Sequence, residues 1–218
     1  MKRLIALLIL LCGTLHAQFE GVIESRNTTT DESDTQRHYQ MTIWVKGTMA
    51  RIATSGTPSN PASAMIYRAD LRVIWILNEE NKSYFQVAMG KSQDEAAGND
   101  EPAKVRRTGK AKKILGYACE QYLIAQGDME TEIWGTKDLR DLSSSLARAL
   151  GEERAGQGEA WNDELTRLGV YPLVANSRIG GVVVEAQEVV KIDRRALAGD
   201  LFTLPAGYKK QSVGDILK

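Results

Sequence analysis

The sequence predicts an α+β domain: an antiparallel sheet of roughly ten strands covered by two or three helices. Three observations carry that expectation. Apolar runs with period-two alternation, separated by turn residues, recur over 19–115 and again over 171–193, the pattern of successive hairpins. After Asp138 the period lengthens, and Leu139, Leu142, Leu146 and Leu150 recur at helical spacing. Several strands are apolar on both faces, so the sheet needs a cover on its second face as well.

The first residues read as a secretory leader. Lys2 and Arg3 make a basic start, and 4–11 is an apolar run too short to span a bilayer. Leu15-His16-Ala17 offers a cleavage site before Gln18. Leu11 stands before Cys12 where a lipobox needs a small residue, so no lipidation is expected. The expected organisation is a leader over 1–17 and a single domain over 18–218, in the periplasm or outside the cell. Loss of Lys2 and Arg3 takes a balanced chain, 28 basic and 28 acidic residues, slightly negative, which argues against nucleic acid as a partner. Cys12 leaves with the leader, so Cys119 stands alone in an oxidising compartment. It reads as a small buried hydrophobe, with a reactive thiol as the alternative.

The strands follow in order. Residues 19–25 open the sheet, and 27–36, polar and rich in Thr and Asp, read as a loop. Tyr39, Met41, Ile43 and Val45 alternate with Gln40, Thr42 and Trp44. A turn at Lys46-Gly47 sets Trp44 opposite Met49 on the return strand, 48–54. Pro58 and Pro61 interrupt the sheet. Short strands are expected at 64–68, 72–77 and 83–89. The second of these is apolar on both faces, with Val73, Trp75 and Leu77 on one and Ile74 and Ile76 on the other. Residues 90–107 are polar and read as a mobile loop. The next strand, 108–115, leads to a bend at Gly116.

The central hairpin fixes its own register. Gly127-Asp128 suits a two-residue turn, because glycine accepts the positive φ of its first position. Gln126 then faces Met129, Ile124 faces Thr131, Tyr122 faces Ile133 and Glu120 faces Gly135. Tyr122, Ile124, Met129 and Ile133 make that face core. The other face, with Cys119, Leu123 and Trp134, turns apolar towards the open end of the hairpin.

A helical cover for that second face is expected over 138–168. Asp138 is its N-cap, the leucine series its first helix, and Trp161, Leu165 and Leu168 mark a second. Strands return at 171–179 and 182–193 around Gly180-Gly181, with Val182, Val184, Ala186, Val190 and Ile192 on one face. A helical turn is expected at 194–199. Residues 201–208 close the domain, Pro205 marking an exit from the sheet, and 209–218 form a tail.

The screen for chemistry is negative. His38 is the one histidine left after the leader, so a histidine-rich metal site cannot be built. There is no HExxH, CxxC, P-loop, GxSxG or GxGxxG. Glu130 and Glu132 stand two apart on one strand and read as a solvated face. The expectation is a non-enzymatic protein without cofactor or metal. The aromatic residues are either ordinary core or the lining of a hydrophobic cavity. For a cavity, the expected contributors are Trp44, Trp75, Leu123, Trp134, Leu142 and Leu146.

The opening FEGVI, then ILGYACEQY, then TEIWGTKDL, and the ending FTLPAGY resemble a bacterial secreted family, domain of unknown function 4412. Gly116-Tyr117, Cys119-Glu120, Trp134, Thr136-Lys137-Asp138 and Leu204-Pro205-Ala206-Gly207-Tyr208 carry the likeness, which spans nearly all of the chain after the leader. Gly135 departs from the β-branched residue expected after the tryptophan. The architecture also resembles the periplasmic lipoprotein carriers (LolA/LolB-like). That likeness implies a strongly curved, incompletely closed half-barrel with helices over its concave side and acyl chains held in the cavity. The expected role is therefore binding or carriage of a hydrophobic ligand, such as lipid or a lipoprotein acyl chain. The alternative is an envelope interaction or scaffold protein with a filled core and a protein partner.

Overall fold

A computed structural model describes residues 18–31, 33, 35–56, 63–90, 103–151 and 165–211. They form one twelve-stranded sheet. Its first six strands are β1 (Glu20–Thr30), β2 (Gln36–Lys46), β3 (Met49–Thr54), β4 (Ser63–Arg68), β5 (Val73–Asn78) and β6 (Ser83–Ala88). The others are β7 (Lys104–Ile114), β8 (Tyr117–Gln126), β9 (Met129–Thr136), β10 (Tyr171–Ile179), β11 (Val182–Arg194) and β12 (Lys209–Lys210). One α-helix, α1 (Arg140–Leu150), follows β9, a 3-10 helix spans Gly199–Phe202, and 165–168 are helical.

The sheet is two meanders joined back to back. Its order is β12-β6-β5-β4-β3-β2-β1-β11-β10-β9-β8-β7. Consecutive hairpins build each half, and the antiparallel pairing of β1 with β11 joins them. Only β12, beside β6, is parallel to its neighbour. The ends do not meet, so β7 and β12 are open edges. The expected open antiparallel sheet is present, with twelve strands among the described residues rather than about ten.

Each face has its own cover. On one, Ile23 lies between Ile43 and Ile192, and Ile43 lies beside Ile52. Over them α1 places Leu142, fully buried against Phe19, Ile23 and Val45, and Ala149, against Ala50 and Tyr67. The Phe19 amide donates to Ser145 Oγ at 3.1 Å, fixing the chain start to the helix. Leu165 and Val170 pack on Tyr122, Ile124, Ile133 and Ala175 of the same face. On the opposite face, Val22, Trp44, Arg51, Ile66 and Trp75 are successive partners across five strands. The return of the chain after β11 covers this row, with Leu197 and Phe202 buried and Leu201, Leu204 and Tyr208 packed around them.

The central hairpin has the expected register throughout. Other expectations are corrected. The helical cover divides: Leu139 and Leu142 share a buried cluster with Cys119, with Leu146 and Trp134 packed against it, whereas Leu165 lies on the Tyr122 face, where Val170 fills the notch left by Gly135. The stretch 27–36 is largely strand, since threonines suit a pleated surface and β1 pairs on both sides as far as Thr29. The β2–β3 turn is Gly47-Thr48, where Gly47 takes φ +60°, so Trp44 faces Arg51 rather than Met49. β7 begins at Lys104, inside the expected 90–107 loop, of which 91–102 lie outside the described residues.

Asp138 is not the N-cap: its amide donates to Thr136 Oγ1, and α1 starts after Leu139. Val184 and Val190 are the extra residues of two β-bulges, so the β11 alternation slips and Val189 is buried instead. The helical turn falls at Gly199–Phe202 instead of 194–199. The leader, Trp161 and residues 212–218 lie outside the described residues.

Candidate functional site: the open concave face

Among the described residues, the uncovered part of the second face lies where the two meanders join. Gln121, Trp134, Val174, Glu188, Arg26 and Gln40 are successive cross-strand partners from β8 to β2. Thr28 and His38 lie one pair further along, beside Ala186 and Asn176. A concavity of about 920 Å³ sits over these rows, with Arg26, His38, Gln40, Val174, Glu188 and Lys112 among its lining residues. Lys112 belongs to β7 and Gln40 to β2, six strand positions apart. At about 4.8 Å per strand a flat sheet would separate them by roughly 29 Å. One concavity reaches both because the sheet bends towards this face and Lys112 stretches inwards from the edge.

The lining is mixed. Val174 and Ala186 supply apolar surface between Arg26, Lys112 and Glu188. Lys112 Nζ stands 4.0 Å from the Trp134 ring centroid, a cation–π contact. The Trp134 indole N–H donates to Glu132 at 2.8 Å, and this bond holds the Glu132 carboxyl below its ordinary range. His38 Nδ1 and Thr28 Oγ1 are 2.9 Å apart. Burial, with the Glu185 charge adding to it, pushes the Tyr39 phenol up. Among the described residues, His38 is engaged by a threonine, without an acid to orient it or a nucleophile to activate. Among the described residues, no three of His, Cys, Asp and Glu gather as a metal site.

A second groove, of about 490 Å³, lies along β7 and β8. Arg107, Lys112, Lys113, Glu120, Tyr122 and Lys137 contribute to it. Arg107 pairs with Glu120, which also accepts the Tyr122 hydroxyl at 3.2 Å.

The sequence-expected cavity residues are dispersed. Trp44 and Trp75 pack under the C-terminal segment, with Arg51 and Arg68 over their rings at 6.0 and 5.9 Å. Leu142 is fully buried beneath α1, and Leu146 packs against the same cluster. Leu123 and Trp134 are half-buried on β8 and β9. None of the six lines either concavity. Cys119 is 1% exposed; its thiol donates to the Tyr117 carbonyl at 3.6 Å, and burial pushes its pKa up, the state of a small buried hydrophobe. Sequence reasoning missed Arg26, His38, Lys112 and Glu188, because a polar residue on a strand gives the same signal whether it faces bulk water or a concavity.

Comparison with solved structures places this architecture among others. An uncharacterized conserved protein from Thermus thermophilus is 10% identical, with 88% of this chain and 90% of that one covered and a TM-score of 0.53, a likeness of fold. PNGF-II is 12% identical with a TM-score of 0.46; 92% of this chain aligns with 32% of that one. A LolA superfamily protein, NE2245 from Nitrosomonas europaea, is 9% identical over 85% of this chain and 90% of its own, with a TM-score of 0.40. No curated protein sequence matches the chain. The family described as Domain of unknown function (DUF4412) matches residues 19–208, from buried Phe19 to Tyr208 beside Phe202, and the chain belongs to that family.

Proposed function

We propose that the protein is a non-enzymatic binding protein of the cell envelope, periplasmic or secreted, whose open concavity takes a hydrophobic or amphipathic ligand such as lipid or a lipoprotein acyl chain. The observation that carries this reading is the concavity itself, whose volume of about 920 Å³ lies at the upper end of small-molecule sites. Val174 and Ala186 give an acyl chain apolar contact, and Arg26 and Lys112 give an anionic head group its counter-charges. Each methylene buried contributes about 0.8 kcal/mol, so six add roughly 5 kcal/mol before the cost of ordering the chain. A second reading, an envelope interaction protein with a filled core, draws on the fully buried Leu139, Leu142 and Leu173 beneath α1.

Native mass spectrometry of detergent-free, processed protein separates the two. A lipid-range extra mass that is lost on denaturation supports the binding reading. Ala186→Trp, which puts an indole where an acyl chain would lie, should reduce that mass while leaving the fold intact. A ligand-free mass with no uptake of added fatty acid or phospholipid would move the function to the filled-core reading.

A further inference from the structure

The chain's 28 basic and 28 acidic residues balance, yet one strand concentrates positive charge. β7 carries Lys104, Arg106, Arg107, Lys110, Lys112 and Lys113 and no acid. It is a sheet edge, and all six side chains are exposed. Among the described residues Arg107 pairs with Glu120 and Lys112 lies over Trp134, whereas Lys104, Arg106, Lys110 and Lys113 have no acidic partner. Lys137 joins Lys112 and Lys113 around one groove beside the β7–β8 turn.

That turn is Leu115-Gly116, with φ of +50° and +86°. Both positive values suit a type I′ hairpin, where asparagine normally occupies the first position. A leucine is strained there, and this one is 46% exposed. Neither backbone preference nor core packing accounts for it. Lysines on an edge strand do blunt sheet-to-sheet association, but that role does not call for an exposed leucine at the tip.

We propose that the β7–β8 hairpin docks the protein on an anionic lipid surface. The cations meet phosphate head groups, and Leu115 enters the boundary between head groups and acyl chains. The cations project from both faces of the strand and around its tip, so they present no single register to a folded acidic partner. A bilayer reads such charge without register. Nor does β7 offer an aromatic side chain for stacking nucleic-acid bases.

The test is co-sedimentation of the processed full chain with vesicles of phosphatidylcholine alone or mixed with phosphatidylglycerol, at low and high salt. Binding is expected on the anionic vesicles only, and salt should weaken it. Lys110→Gln with Lys113→Gln should reduce binding roughly 25-fold, at about fivefold per charge. Leu115→Asn should raise Tm by relieving the turn and still weaken vesicle binding, a split that a purely structural leucine would not give. Equal binding to both vesicle types, or none, overturns the proposal. So does retention on heparin or DNA without vesicle binding, which would assign the strand to another polyanion. Ala186→Trp should dock normally, so failure of the concavity as a ligand site and failure of the hairpin as a docking site are separable.

Discussion

The two faces of this sheet use the same alternating strands but are finished differently. Beneath α1, Leu142 meets Phe19, Ile23 and Val45, and the helix seals them from water. On the other face, where β1, β11 and β10 lie side by side, the side chains are Arg26, Thr28, Glu188 and Asn176, and a concavity stays open above them. The α1-covered face concentrates stability, while the open part of the second face, beyond the Trp44–Phe202 cluster, has few apolar contacts to lose. Function can therefore change there with little effect on folding, and changing side-chain volume on each of the two sides tests that contrast.

The largest effect should come from Leu142→Ala. A fully buried leucine under a helix leaves a cavity, and the loss should be about 2–5 kcal/mol by urea denaturation. Ala186→Trp, a larger change in volume, should cost under about 0.5 kcal/mol. If the two are similarly destabilising, the open face is part of the core and the contrast between the faces fails.

Next in size is Gly21→Ala, which tests the seam between the two meanders. A Cβ here would lie 2.3 Å from the Asp193 carbonyl oxygen and 3.0 Å from the Phe19 ring. Backbone cannot retreat as a side-chain tip can, so about 1–3 kcal/mol should be lost. The same denaturation curves read it. A silent substitution would mean that β1 and β11 pair more loosely than their register implies.

Much of the covered face was legible in the sequence, and the open face was not. Glycine at 127 fixed one hairpin, and strict alternation from Cys119 to Thr136 carried its register into both strands. The helix start was misplaced because Asp138 is a good capping residue by type, yet Thr136 takes its amide. The β11 alternation was misread because bulges at Val184 and Val190 are set by the neighbouring strands, which a single segment does not reveal. Trp44 and Trp75 looked like cavity aromatics for a related reason. Their cover is Phe202 and Leu197, roughly 120 to 160 residues away in sequence. The concavity depends on sheet curvature, to which no local pattern corresponds.

Cys119 gives a kinetic check on the same contrast. A thiol that is 1% exposed and shifted upwards in pKa should react with a thiol reagent at least tenfold more slowly in the folded protein than in urea. Rapid labelling of the native protein, or a covalent dimer on a non-reducing gel, would restore the reactive-thiol reading.

The smallest expected effect concerns what anchors the cover. Arg194 at the end of β11 donates to Asp141 in the first turn of α1 at 2.5 and 3.0 Å. Those hydrogen bonds hold the Asp141 carboxyl below its ordinary range. A depressed folded pKa contributes stability that is present above the unfolded value, about 3.9, and lost as pH falls through the folded value. The pair is partly solvated, so salt and water limit it to about 0.5–1 kcal/mol. Asp141→Asn should therefore lower the urea midpoint slightly at pH 7, equally at pH 5, and less and less as the pH falls below 4. Added salt should narrow the gap at neutral pH. If Asp141→Asn instead cost as much as Leu142→Ala and the loss persisted in acid, the helix would be held by its ion pair rather than by its leucines. The covered face would then owe its stability to a surface contact, and burial alone would no longer separate the two sides of the sheet.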